Sequence, residues 1–192
     1  MIKYLMKMFP NSPSEDNYDN WEIFNHDNYL KSSDENKKKI RRLSCKGRYD
    51  IEKDIKFSWM ENYFLKHIGQ DKLENKVLLD IGCFTGGRLL AWAENYKIKK
   101  SYGLDINPVF KIAAEEFAEE KNLNADFKTG ISEKLPYEDN FFDFVVSTDT
   151  FEHVQNLENS IDECFRVLKP GGMLLAVFPQ HLQPFESHLN FV

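Results

Sequence analysis

The chain has 192 residues, 42% of them hydrophobic and 14% aromatic, with a net charge of −6. This length suits one domain with an appended segment, and the acidic balance argues against a protein that holds nucleic acid by bulk electrostatics. No apolar run reaches the roughly 20 residues of a membrane span, and the first nine residues are too few and too charged for a signal-peptide core. Cys45, Cys83 and Cys164 are too widely spaced for a disulfide framework or a zinc pattern. A reducing, cytoplasmic setting is therefore expected.

Residues 1–50 read as a polar N-terminal segment. The stretch to about residue 35 is rich in Asn, Asp and Ser, with Pro10 and Pro13, and is too poor in apolar residues to fold alone. Trp21, Phe24, Tyr29 and Leu30 nevertheless recur near helical spacing, so the segment is expected to dock as a lid. The basic run Lys37–Arg42 reads as a solvated helix face, with contact to an anionic substrate or RNA as the alternative. An amphipathic helix is predicted over 51–68, with Ile51, Ile55, Met60, Tyr63, Phe64, His67 and Ile68 towards one face and Gly69 as its stop.

From Val77 the pattern alternates between strands and helices. Val77-Leu78-Leu79 is the unbroken apolar run of a strand buried on both faces, closed by Asp80 and Ile81. The turn Gly82-Cys83-Phe84-Thr85-Gly86-Gly87 and a helix over 87–97 follow, the opening of a nucleotide-binding βαβ unit. Gly82 and Gly86 permit backbone angles and ligand approach that a side chain would obstruct, and the helix start offers free N–H groups. Position 84 is Phe, so the full dinucleotide fingerprint is absent. Later strands are predicted at 101–105, 125–129, 142–147 and 173–178. Asn107-Pro108 caps one helix, and Leu157 to Leu168 marks another, stopped by Pro170-Gly171-Gly172. Such alternation implies a parallel sheet with right-handed crossovers and helices on both faces, forming a domain over 51–192.

In such sheets ligands lie beyond the carboxyl ends of the strands. Those ends are Asp80 with the glycine turn, Asp105, Gly130-Ile131-Ser132, and Ser147-Thr148-Asp149. Asp105 falls 19 residues past Gly86, close to where a ribose-binding acid belongs. The alternative is a cap for the next helix.

The stretch Asp80-x-Gly82-x-x-x-Gly86 resembles the first motif of class I S-adenosylmethionine (AdoMet)-dependent methyltransferases of type 11, with Phe84 in place of a glycine. Tyr102–Pro108, Gly130–Ser147, Phe151–Val154 and Arg166–Met173 resemble the later motifs in order, so the resemblance runs from Val77 to Pro179. It implies a Rossmann-like, doubly wound, mostly parallel sheet and AdoMet as cofactor. Asp80, Gly82, Cys83 and Phe84 would face its methionine part, with Gly86 closing the loop. Asp105 would take the ribose hydroxyls, Ile106, Ile131 and Ser132 would border the adenine, and Thr148 would lie at the end of strand four. Ile131 stands where many relatives carry Asp, which removes a side-chain acceptor for the adenine amino group. The implied reaction is methyl transfer to a small-molecule acceptor, with nucleic acid not expected and the oligomeric state open. The protein's main contribution is alignment, and a base is needed only for a protonated acceptor. His153 is the expected base, with His181, His188 and Asp149 as other candidates. Asp149-Thr150-Phe151-Glu152-His153 also resembles the Glu-x-x-Glu-His metal run of some ubiquinone and small-RNA O-methyltransferases, with His188 as a further ligand for Mg²⁺ or Mn²⁺. Glu-His-Val also occurs at this place in many metal-free relatives. By the same resemblance the full sheet has seven strands ending in an antiparallel hairpin. This chain stops soon after strand five, so five strands and an absent hairpin are expected. Two alternatives are a non-catalytic AdoMet-binding module and a metal-assisted RNA or small-molecule O-methyltransferase.

Overall fold

The computed structural model describes residues 26–177. Strands β1 (Val77–Ile81), β2 (Lys100–Asp105), β3 (Ala125–Thr129), β4 (Phe142–Thr148) and β5 (Leu168–Val177) form one sheet in the order β3-β2-β1-β4-β5. All four pairings are parallel, so every strand delivers its carboxyl end to the same edge. Among the described residues the helices beside the sheet include α1 (His26–Lys31), α2 (Asp34–Lys53), α3 (Gly87–Asn95), α4 (Pro108–Lys121) and α5 (Leu157–Val167). The doubly wound parallel architecture is the one the sequence implies. Trp21, Phe24, Phe178 and the residues expected to precede an absent hairpin lie outside the described residues. Among the described residues no helix is long and apolar enough to cross a membrane.

Alternation along the strands divides the core between the two faces. Leu78, Phe144, Val146 and Leu175 pack with α2, α3 and α4, while Leu79, Ile81 and Val145 pack with α5. Phe142 joins the α5 side although it shares parity with Phe144. The pairing of β4 with β5 shifts register between these two residues, which reverses the face.

Three local readings change. The helix expected over 51–68 is broken, because α2 ends at Lys53 and Asp54 caps it with extended backbone. The Asp54 carbonyl and carboxylate accept the N–H groups of Phe57 and Lys56, a side-chain turn that competes with the helix. The chain then re-enters as a π-helical segment, Met60–Leu65, followed by one α turn ended by Gly69 at φ 94°. Ile55 and Tyr63 consequently stand exposed rather than on a common buried face. At the other end of the domain, β5 starts at Leu168, before the Pro170-Gly171-Gly172 stop predicted for the helix, and that triplet lies inside the strand.

The basic run is the third. Arg41 grips Glu116 on α4 with two parallel hydrogen bonds, 2.8 and 2.5 Å, and donates a third to the Tyr29 hydroxyl at 2.7 Å. Arg42 pairs with Glu120 one turn further along α4. Arg41 is therefore turned onto another helix, whereas Arg42 pairs across to that helix at the solvent-exposed edge. Close approach of backbones fixes α2 on its second partner. A Cβ at Gly87 would overlap the Cys45 carbonyl and come within 2.8 Å of the Tyr49 nitrogen.

The two arginine pairs differ in burial, with side chains 13% and 31% exposed for Arg41–Glu116 but 46% and 39% for Arg42–Glu120. A forked charged pair away from water should couple by about 1–2 kcal/mol, whereas the solvated pair should stay below about 0.5 kcal/mol. Urea unfolding of double-mutant cycles built on Arg41→Met with Glu116→Gln and Arg42→Met with Glu120→Gln measures both. Equal couplings would show that desolvation does not set the difference.

Candidate active site

The glycine turn is held by its neighbours before any ligand is considered. The amides of Gly82 and Cys83 both donate to the Leu104 carbonyl at 2.8 and 3.1 Å, and Gly86 N–H closes on the Cys83 carbonyl at 2.9 Å. Phe84 N–H donates to Asp105 Oδ2 at 2.9 Å, and Asn107 N–H donates to Asp105 Oδ1 at 2.9 Å. Asp105 therefore fixes the tip of the turn while each of its oxygens keeps accepting capacity. The cap of α4 is Asn107, whose side chain accepts from Val109 N–H, so Asp105 is free of that role. Burial raises the Asp105 pKa, and the amides of Asn107, Phe84 and Ile106 oppose the rise.

Both glycines with positive φ in the turn also answer to packing. A Cβ on Gly82 would overlap the Thr150 side chain, and one on Gly86 would fall 2.6 Å from the Ala114 Cβ and 2.9 Å from the Phe127 ring. Gly86 thus serves the seat of the turn on α4 and β3. α3 begins at Gly87 with no side-chain cap on its first amides.

Beyond the strand ends lies a cavity of about 490 Å³, within the range of small-molecule and cofactor sites. Of the sequence-derived candidates, Gly82, Phe84, Asp105, Ile106, Ile131, Ser132, Thr148, Asp149 and His153 line it. Asp80, Cys83, Gly86 and Glu152 do not line it. Asp80 and Cys83 are buried, and the Cys83 sulfur lies close beside Gly103 in the core. Ile106 and Ile131 form exposed lips, and the buried Ser132 hydroxyl meets Ser160 Oγ at 2.8 Å.

Two further lining residues are Arg48 from α2 and Arg88 from α3, neither singled out from the sequence. Arg88 donates to the Thr148 hydroxyl, lies over the Trp59 ring at 4.8 Å and has Glu52 Oε2 at 3.9 Å from its Nε. Glu52 is 2% exposed and accepts from Ser58 Oγ, Met60 N–H and Trp92 Nε1. Arg48 stands 5.4 Å over the Phe84 ring. Burial, then the charge of Arg88, lowers its pKa to about 9, which leaves it a cation at neutral pH.

Among the described residues no three His, Cys, Asp or Glu side chains converge to hold an ion, and His188 lies outside those residues. His153 is about half exposed, with its Nε2 at 3.8 Å from Glu152 Oε1, beyond hydrogen-bond reach. Both oxygens of Glu152 are buried without a hydrogen-bond partner.

Comparison with known proteins agrees with the fold. Residues 79–176 match the methyltransferase domain family, and the chain belongs to that family. It is 34% identical over 119 residues to norajmaline N-methyltransferase from Rauvolfia serpentina, covering 60% of this chain and 40% of that enzyme. It is 30% identical to a ubiquinone biosynthesis O-methyltransferase from Maricaulis maris, covering 63% and 48% of the two chains. Among solved structures, YcgJ from Bacillus subtilis superposes with a TM-score of 0.53 at 30% identity, over 58% of this chain and 47% of that one. The matched region spans less than half the length of each of these relatives.

Asp80 gives the site a measurable pH signature. It is 2% exposed, and its Oδ1 has no hydrogen-bond partner. Burial pushes its carboxyl up to about 7, with Arg88 pulling down and Asp105 pushing up. The folded chain thus keeps this proton to a higher pH than the unfolded chain does. The cost of ionising it is absent below about pH 4, grows as pH rises, and is complete above about pH 7, with roughly 4 kcal/mol as its upper bound. Asp80→Asn removes that cost, so its melting-temperature advantage over wild type should grow from pH 5 to pH 8. Melts with a constant or shrinking advantage would show that Asp80 is ionised throughout.

Proposed function

We propose that the cavity binds AdoMet and that the protein transfers its methyl group to a small-molecule acceptor. The observation that carries this reading is the Asp105 carboxylate. It stands at the carboxyl end of β2, oriented by two backbone amides, in one cavity with the glycine turn and the Gly130-Ile131-Ser132 strand end. Two charged acceptor oxygens so placed suit the paired hydroxyls of a ribose. Gly82 and Phe84 would border the methionine part, Ile106, Ile131 and Ser132 the adenine, and Thr148 the sulfonium end. Arg48 and Arg88 supply cations for a carboxylate, and a cationic ligand in the cavity would favour the ionised form of the buried Asp80 behind the turn. The residues present therefore fit the cofactor. When bound, AdoMet supplies a methyl carbon already activated by sulfonium for in-line displacement. The chain's own share is to bind, orient and exclude water, and correct orientation is worth roughly 7–11 kcal/mol of barrier. His153, half exposed on the cavity wall, would take a proton from an acceptor that carries one. The N- and O-methyltransferases among the relatives are consistent with a small-molecule acceptor. α2 is read as part of the enclosure, since its Arg48 reaches the cavity.

Asp105→Ala tests the cofactor site. Hydrogen bonds to a charged group contribute about 1.5–3 kcal/mol, so S-adenosylhomocysteine should bind about ten- to a hundredfold more weakly, and its thermal stabilisation of the protein should largely vanish. A larger thermal shift with NAD than with AdoMet in wild type would redirect the reading to an oxidoreductase. His153→Ala separates base from scaffold. If His153 moves a proton, turnover of an identified acceptor should fall about a hundredfold or more with the S-adenosylhomocysteine shift unchanged. A loss of activity only in proportion to lost stability would remove His153 from the chemistry.

A further inference from the structure

Phe84 occupies the middle of the glycine turn with φ at 51°, in the left-handed region. A residue with a Cβ is strained there, by about tenfold in conformer population, whereas glycine is not. Phe84 is not needed to fill a core, because its ring lines the cavity. Its ring meets groups from two helices. It packs against Phe110 of α4, with centroids 4.2 Å apart and planes inclined at 55°. The Arg48 guanidinium of α2 lies over it, 5.4 Å from its centroid. The backbone beneath is pinned by the Phe84 N–H on Asp105. Through this one ring the turn touches both α4 and α2 at the cavity wall.

Arg48 reaches the cavity on a long side chain, repelled by Arg88 and attracted by Asp149, Glu52 and Asp80, and the Phe84 ring adds a face for its guanidinium. An aromatic face attracts a guanidinium and fixes the plane of its fork, the geometry that takes a carboxylate with two parallel hydrogen bonds. We propose that Phe84 is a positioning residue whose ring holds the Arg48 guanidinium at the methionine end of the cavity, where it binds the carboxylate of the cofactor's amino-acid group. The strained turn is the counterpart of that placement. This inference rests on the AdoMet reading given above.

Two ligands that differ in the amino-acid group test it. S-adenosylhomocysteine carries the carboxylate, and 5′-methylthioadenosine keeps the thioadenosine but lacks that group. The readout is the ratio of their dissociation constants by calorimetry, together with the melting temperature of the free protein. Wild type should prefer S-adenosylhomocysteine. Phe84→Gly should narrow the preference by about tenfold while melting no lower than wild type, since strain is relieved. Phe84→Leu, which keeps an apolar side chain without a ring face, should narrow it equally and serves if the glycine variant does not fold. Phe84→Tyr should restore the preference, and Arg48→Gln should abolish it. An unchanged ratio in the glycine or leucine variant, or an equal loss of both ligands, overturns the positioning role alone. Failure of folded wild type to bind either ligand overturns the AdoMet reading and the inference with it.

Discussion

The crossing of α2 over the start of α3 is the constraint on which the site depends. The two backbones meet where Gly87 has no side chain, so α2 lies directly on the turn that follows β1. This contact carries Arg48 and Glu52 into the neighbourhood of the strand ends, although they stand more than 20 residues before β1. Glu52 shows what the crossing must satisfy. A carboxylate at 2% exposure is costly unless it is fully engaged. Here a hydroxyl, a backbone amide and an indole N–H converge on one of its oxygens while Arg88 approaches the other. The same acceptor therefore orders the turn after α2, the start of the π-helical segment and α3.

The sheet and the turn were legible because their signals are local. Apolar runs of strand length, glycines at two positions of the turn and Asn107-Pro108 at a helix start all act within a few residues. Asp105 was legible through its spacing from Gly86, which reflects one βαβ crossover. The break after Lys53 was hidden because an apolar periodicity continues through it, whereas Asp54 and the donors that gather on Glu52 decide the backbone. The Arg41–Glu116 pair was hidden because sequence shows charge but not the facing helix. Arg48 did leave a trace. Cys45, Tyr49 and Glu52 are buried on the same helix at spacings of three and four, and a cation beside such a stripe points inward. Gly86 carries a different lesson. Its position in a motif suggests ligand approach, yet its missing side chain makes room for Ala114 and Phe127.

The charges around the cavity do not cancel pairwise. Arg48 and Arg88 face Asp105 and Asp149 on its walls, with Asp80 and Glu52 close behind. Positive and negative groups alternate over a short distance in a partly dry space, where each interaction is stronger than in water. Such a wall favours ligands that themselves carry both signs over ligands of a single sign. The preference is built mainly from α2, α3 and the strand ends, and the acceptor's own contacts can vary around it.

Gly82 and Thr150 share one volume. The threonine hydroxyl donates to the Ile81 and Thr148 carbonyls at 3.3 and 3.2 Å, and its side chain fills the space that a Cβ at position 82 would need. The turn after β1 and the turn after β4 are thereby parts of one object. In evolutionary terms neither position can drift alone: a side chain gained at 82 demands one lost at 150. A larger residue at 150 would, in turn, press the glycine turn towards the cavity, linking the history of one loop to the shape of the space bordered by the other.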